Sequence, residues 1–376
     1  MNIGEPIDRR VPWARALHDL DEARAVGSAG PKLRAMRRAA EKLGDELRAG
    51  PRVVAVRTLP LSDLVYPTKY AFAGAVPLPW PFVIMKHRAL LVQLMSGGEL
   101  VNVLFNPTDA IASRATPYFH KIVDAVGEGI AVRMQKSETV EARLAELGLS
   151  AADIDVIAFD HFHTQDLRPM LGTSGGARAR FPNAVLLAPR REWEDWDDLH
   201  PMQRAWFIAD GKRGVPAERV VLYDADVALG DGCVLVRTPG HTSGNQTIFV
   251  RAEQGVFGCS ENGCSADSWS PLDSRIPGLR RTALHSDVDV ILNNNTPELG
   301  AEQYTSMVVE RAVVDRVPGA AAFVQMFPSS EVTASPIAPG IRPTMVFGER
   351  TSGTLQLLGR SPARARDERA QSSHAG

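Results

Sequence analysis

The chain has 376 residues, 44% of them hydrophobic and 23% charged, with a formal net charge of −2. That is ordinary globular material with apolar residues for a large core, and its balanced charge offers no basic surface for nucleic acid or anionic lipid. Three cysteines, Cys233, Cys259 and Cys264, make no paired framework and point to a reducing compartment. The N-terminal MNIGEPIDRRVPWARALHDL is charged from the start and does not read as a signal peptide. The longest uncharged run, Ala71 to Met85, is broken by Pro77, Pro79 and Pro81 and is too short for a bilayer span. A cytoplasmic protein is expected, with a small-molecule substrate and neither a nucleic-acid nor a membrane partner.

Residues 12–49 are expected to be helical: Pro31 opens PKLRAMRRAAEKLGDELRAG, Leu33, Met36, Ala40, Leu43 and Leu47 recur at helical spacing, and Gly50 ends the run. From Arg52 the texture changes to short β-branched runs, VVAVRTL, FVIM, ALLVQLM and ELVNVLF, with a hairpin at Ser96-Gly97-Gly98. The intervening AGAVPLPWPF reads as a lid, an edge strand, or a contact in a homo- or hetero-oligomer. Helices are expected over 117–127 and 138–148. Strands follow at IDVIAF (154–159), NAVLLAP (183–189), ERVVLYD (218–224), CVLVRTP (233–239), TIFVRA (247–252), GVFGCS (255–260) and VDVILN (288–293). Between them, LGTSGGARARFP (171–182) reads as a loop near a site mouth and REWEDWDDLHP (191–201) as an amphipathic helix. A helix over 301–315 precedes a Pro- and Gly-rich segment, and 360–376 is polar and expected to be disordered. Hairpins, then αβ units, then hairpins again predict two sheets covered by helices.

Nine histidines occur. Those at 18, 87, 120, 200, 285 and 374 stand alone and read as surface or satisfied core imidazoles. His161 and His163 differ, because they follow the apolar strand IDVIAF directly. In an extended segment residues i and i+2 point the same way, so both rings converge, and strand C-terminal ends are where α/β folds gather ligands. Two imidazoles on one face suit zinc or ferrous iron. His241 lies in RTPGHTSGNQ after another strand, on a Pro239-Gly240 turn that brings backbone and ring close together.

DHFHTQD and RTPGHTSGNQ together resemble the metallo-β-lactamase superfamily, whose patterns are His-x-His-x-Asp-His after one strand and a Pro-Gly-His-Thr turn after a later one; the resemblance covers about residues 52–300. It implies an α/β (α+β) four-layer αββα sandwich of two mixed β-sheets flanked by helices. It also implies a helical extension over 1–51, a catalytic domain over 52–320 and a C-terminal extension with a disordered tail over 321–376. The departures lie in the family's second metal site. Gln165 and Asp166 stand in place of the Asp-His pair, GCSENG offers Glu261 where a bridging Asp is usual, and no His falls near Asn293–Asn295.

One metal per chain is therefore expected, Zn²⁺ with Fe²⁺ or Mn²⁺ as alternatives, on His161, His163 and His241, with Asp166 and Glu261 as further candidate ligands. Three histidines with an open position make a catalytic site in which bound water ionises near neutral pH. Asp166 is the candidate general base, or an N-cap for the helix that follows it. Glu261 is a candidate ligand or a partner for an imidazole N–H, and Asp160 a candidate of the latter kind. Cys259 and Cys264 read as small buried side chains, and Arg275, Arg280 and Arg281 as solvated surface. The expected function is hydrolysis of a small-molecule ester, lactone or related bond, including an activated aryl ether. The alternatives are a mononuclear iron oxygenase and a non-catalytic partner subunit with an eroded site. Phosphodiester cleavage is disfavoured because it typically uses two metals.

Overall fold

A computed structural model describes residues 1–77, 79–126, 137–336 and 339–357. In chain order the strands are β1 (Ile3–Pro6), β2 (Arg15–Leu17), β3 (Ala55–Pro67), β4 (Phe82–Ser96), β5 (Glu99–Phe105), β6 (Val156–Ala158), β7 (Val185–Pro189), β8 (Val220–Tyr223), β9 (Asp226–Gly230), β10 (Cys233–Arg237), β11 (Gln246–Ala252) and β12 (Gly255–Ser260). Then come β13 (Arg316–Val317), β14 (Ala320–Val324), β15 (Met326–Pro328), β16 (Ser330–Thr333) and β17 (Thr351–Gly353). One sheet has the order β17-β3-β4-β5-β6-β7-β8, with β16 also paired to β4; the other runs β1-β2-β9-β10-β11-β12-β15. Both are mixed: β5 to β8 are parallel neighbours, as are β12 and β15, and the remaining pairs are antiparallel.

Period-two alternation explains the layering. In β10, Cys233 and Leu235 face the space between the sheets, while Val234 and Val236 face outward. Against the inward set lie Val92, Leu94, Val103 and Phe105 of the other sheet. The outer face of β10 and β11 is covered by Met36, Leu43 and Leu47 of the Ala29–Ala49 helix and by Met307 and Val313 of the Gly300–Val313 helix. The outer face of the larger sheet, with Leu91, Leu104, Ile157 and Leu186, packs on Leu144, Leu167 and Met170. The result is the expected αββα sandwich.

Several expectations need correction. The first long helix starts at Ala29 rather than near residue 12, with Gly50 as its C-cap; β2 occupies part of the stretch before it. FVIM and ALLVQLM are one strand, β4, which turns into β5 through Gly97 and Gly98, both at positive φ (59° and 85°) as such a tight hairpin requires. VDVILN forms no strand. Ile291 and Asn293 donate their N–H groups to the carbonyls of Ser268, in the short Ala266–Trp269 helix, and of Asn262, so the segment is held without a strand neighbour. REWEDWDDLHP is helical only over Arg190–Asp195. Strands β1 and β2, before residue 52, and β15, β16 and β17, after residue 320, pair into the two large sheets. The disorder expected over 360–376 falls outside the described residues. Among the described residues no helix is long and apolar enough to cross a membrane.

Candidate metal centre

β6 and β10 end side by side in opposite sheets, and each delivers histidines at its C-terminal end. The backbone leaves β6 at Ala158 and returns into the Leu167–Leu171 helix through Thr164, held at φ 65° although it is β-branched. That conformation costs on the order of 1–3 kcal/mol and persists only where the surroundings impose it; here the Thr164 N–H donates to the Trp206 carbonyl at 2.7 Å.

His161, His163 and His241 converge, one nitrogen from each lying within 4.8 Å of the others. Ring centroids are 4.3 to 4.8 Å apart. Two of the three rings are held from behind. His161 donates Nδ1–H to Asp160 Oδ1 at 2.7 Å, and the same oxygen accepts the His161 backbone N–H at 2.9 Å. His163 donates Nε2–H to Gln203 Oε1 at 2.7 Å. These partners fix the tautomers, leaving lone pairs on His161 Nε2 and His163 Nδ1. His241 presents Nε2 3.1 Å from His163 Nδ1. Its Nδ1 is buried without a protein partner, and its backbone is pinned instead, N–H donating to Asn262 Oδ1 and carbonyl accepting from Thr296 Oγ1.

Burial, and then the neighbouring His161, push the His163 and His241 imidazoles well below their ordinary range, so both are neutral. Burial acts to raise Asp160, but its bonds to His161 prevail and hold it below the usual carboxylate value. Three imidazoles facing one point, the first backed by a carboxylate, form a donor set that fits a divalent transition-metal cation.

The cluster lines an open cavity of about 70 Å³. Leu64, Met85, Phe119 and Trp206 are among its apolar lining, and Asn106, Glu261, Ser329 and Ser330 among its polar lining. Asn106 ties that polar lining together, accepting the Asp160 N–H and donating to Ser329 Oγ, which in turn donates to Asp160.

Asp166 is a correction: it is not part of the cluster or the cavity wall. Its Oδ1 accepts from Arg168 N and Nε, and its Oδ2 from Arg168 Nη2 at 2.6 Å, so the carboxylate is spent capping the Leu167–Leu171 helix. Gln165 reaches the cavity instead, donating to Thr108 Oγ1 and to the His163 carbonyl. Glu261 lines the cavity, outside the three-residue cluster; its Oε2 accepts from Ser330 N at 2.8 Å, and burial, then Asp160, drive its carboxyl well upward. Cys259 and Cys264 are buried free thiols, their ionisation pushed up by burial. The 171–182 loop contributes nothing to the cavity wall.

Sequence reasoning missed His87. It lines the cavity, is bonded to Ser330 Oγ and the Asn106 carbonyl, and is lowered by burial to about 4. It also missed Gln203, Asn262 and Glu192, which lie 21 to 50 residues in sequence from the groups they hold, a separation that no local pattern reports.

No protein-family model matches the chain. Among curated proteins it is 25% identical over 244 residues to the N-acyl homoserine lactonase AttM of Azorhizobium caulinodans, covering 62% of this chain and 81% of that one. Solved structures with a similar chain path include AidC, a dizinc quorum-quenching lactonase in complex with a product (TM-score 0.47, 14% identity, 81% of this chain and 95% of that chain). Another is the hydrolase AbOPH of the beta lactamase superfamily (TM-score 0.43, 13% identity, 82% and 99%). The chain is thus similar in sequence to a lactonase, and its two mixed sheets between helices are the αββα architecture expected of the metallo-β-lactamase fold.

Proposed function

We propose that the protein hydrolyses a lactone or ester with an apolar substituent, using one zinc ion held by His161, His163 and His241. The observation that carries the reading is the convergence of three imidazoles on the wall of a cavity that also has apolar lining residues. Bound there, the ion supplies Lewis acidity and lowers the pKa of water. The chain's own groups do the rest. Asp160 and Gln203 hold protons on the outer nitrogens of His161 and His163, which keeps the inner nitrogens available. Leu64, Met85, Phe119 and Trp206 exclude water and seat the apolar part of the substrate. The amide oxygens of Gln165 and Asn295, buried without protein partners on residues of the cavity wall, are acceptors for a substrate N–H. That suits an acyl-amide lactone of the kind named for AttM.

The cluster contains three imidazoles and no carboxylate, unlike the two-histidine, one-carboxylate set of non-haem iron oxygenases, which favours hydrolysis. The test is metal analysis of the purified protein together with acid release from N-acyl homoserine lactones of varied chain length, with and without oxygen. Stoichiometric zinc and oxygen-independent turnover abolished in His161→Ala are expected. Protein that retains no metal, or turnover that consumes oxygen, overturns the proposal.

A further inference from the structure

The Arg190–Asp195 helix, RREWED, follows β7 and lies mostly within the stretch read from sequence as an amphipathic helix, in which a glutamate is expected on the solvated face. Glu192 departs from that pattern: it is 2% exposed and directs its carboxylate inward. Oε1 accepts the backbone N–H of Phe162, the residue between His161 and His163, at 2.7 Å. Oε2 accepts the Thr242 hydroxyl at 2.6 Å and the Gly244 N–H at 3.1 Å, both from the turn that carries His241. One turn further along the helix, Asp195 accepts the neighbouring Ser243 hydroxyl. The approach is so close that a Cβ on Gly244 would lie 2.3 Å from the Glu192 nitrogen. A single carboxylate thus joins two loops that emerge from different sheets and between them carry all three histidines.

We propose that Glu192 is a positioning residue that sets the spacing of the two histidine loops and, through it, the affinity for the metal. It touches none of the three rings through these bonds; it acts on the backbone on either side of them. Three hydrogen bonds converging on one buried carboxyl group define the distance between Phe162 and Thr242 more tightly than the loops would by themselves. Glutamine in its place keeps the shape but turns an NH2 towards at least one of these donors, so that bond becomes a donor–donor contact. The inference rests on the metal-centre reading given above.

The test compares wild type, Glu192→Gln and Thr242→Val. The last removes one donor and leaves the carboxylate in place. Zinc affinity is measured by competition with a chromophoric chelator, and the cobalt-substituted proteins are examined by visible absorption. Removal of groups that orient metal ligands typically weakens binding about 10- to 100-fold; that loss is expected for Glu192→Gln, with a shifted cobalt band, and a smaller loss in the same direction for Thr242→Val. Should Glu192→Gln fail to fold, Thr242→Val carries the test. Variants that fold and match wild type within about twofold, with an unchanged cobalt spectrum, overturn the role of Glu192 while leaving the metal centre standing. A wild type that takes up no stoichiometric zinc overturns the functional reading and this inference with it.

Discussion

Glu310 makes a measurable prediction about stability. It is fully buried on the Gly300–Val313 helix and accepts hydrogen bonds from Thr247 Oγ1, Asn262 Nδ2 and Trp269 Nε1. Burial raises its carboxyl to about 7, against the pull of those bonds, from an ordinary 4.5. Between these two values the folded protein keeps a proton that the unfolded chain has released, so stability falls as pH rises from about 4.5 through about 7. At about 1.4 kcal/mol per pH unit, the gap amounts to about 3 kcal/mol, fully lost above pH 7. Glu310→Gln mimics the protonated form at every pH and removes this slope. Urea unfolding of both proteins at pH 5 and pH 8, with a chelator present, isolates the effect from other buried acids common to both. The variant's stability relative to wild type is expected to rise by about 2.5 kcal/mol between the two pH values. A change under about 1 kcal/mol would refute a proton-retaining Glu310.

Asp166→Ala is expected to cost about 1 kcal/mol of stability through the lost helix cap and to leave turnover unchanged; a collapse of kcat would restore Asp166 to the chemistry. Asp160→Asn, which removes the charge that holds His161, should weaken zinc binding about 10- to 100-fold in a chelator competition. Phe119→Ala, in the apolar lining of the cavity, should raise KM for long-chain substrates about tenfold from about 1.5 kcal/mol of lost apolar contact, with little effect on short ones. Gly244→Ala drives a methyl into the backbone of Glu192 and should destabilise by about 1–3 kcal/mol, seen as a lowered Tm.

The local signals were strongest where geometry is short-range. Gly50 ends its helix, Gly97-Gly98 turns its hairpin, and GVFGCS is β12 over its whole length, because caps, turns and alternation are decided by a few adjacent residues. VDVILN failed because its apolar content says only that it is buried, and a buried segment becomes a strand only if a neighbour offers its edge. Asp166 failed for a related reason: three residues after His163 it was within reach of the metal or of a helix N-terminus, and Arg168, two residues further on, decided between them.

What the sequence determined alone is the pair of histidine segments at strand ends and the alternation that builds two sheets, since both follow from backbone periods of two residues. What only the tertiary structure decided is how the segments meet: that β6 and β10 end together, that Asp160, Gln203 and Asn262 hold the rings or their backbone, and that Glu192 joins the two loops. Those partners are polar side chains 1 to 50 residues from the groups they hold. A lone buried carboxylate has no periodicity, so its role exists only once packing has removed the water that would otherwise satisfy it.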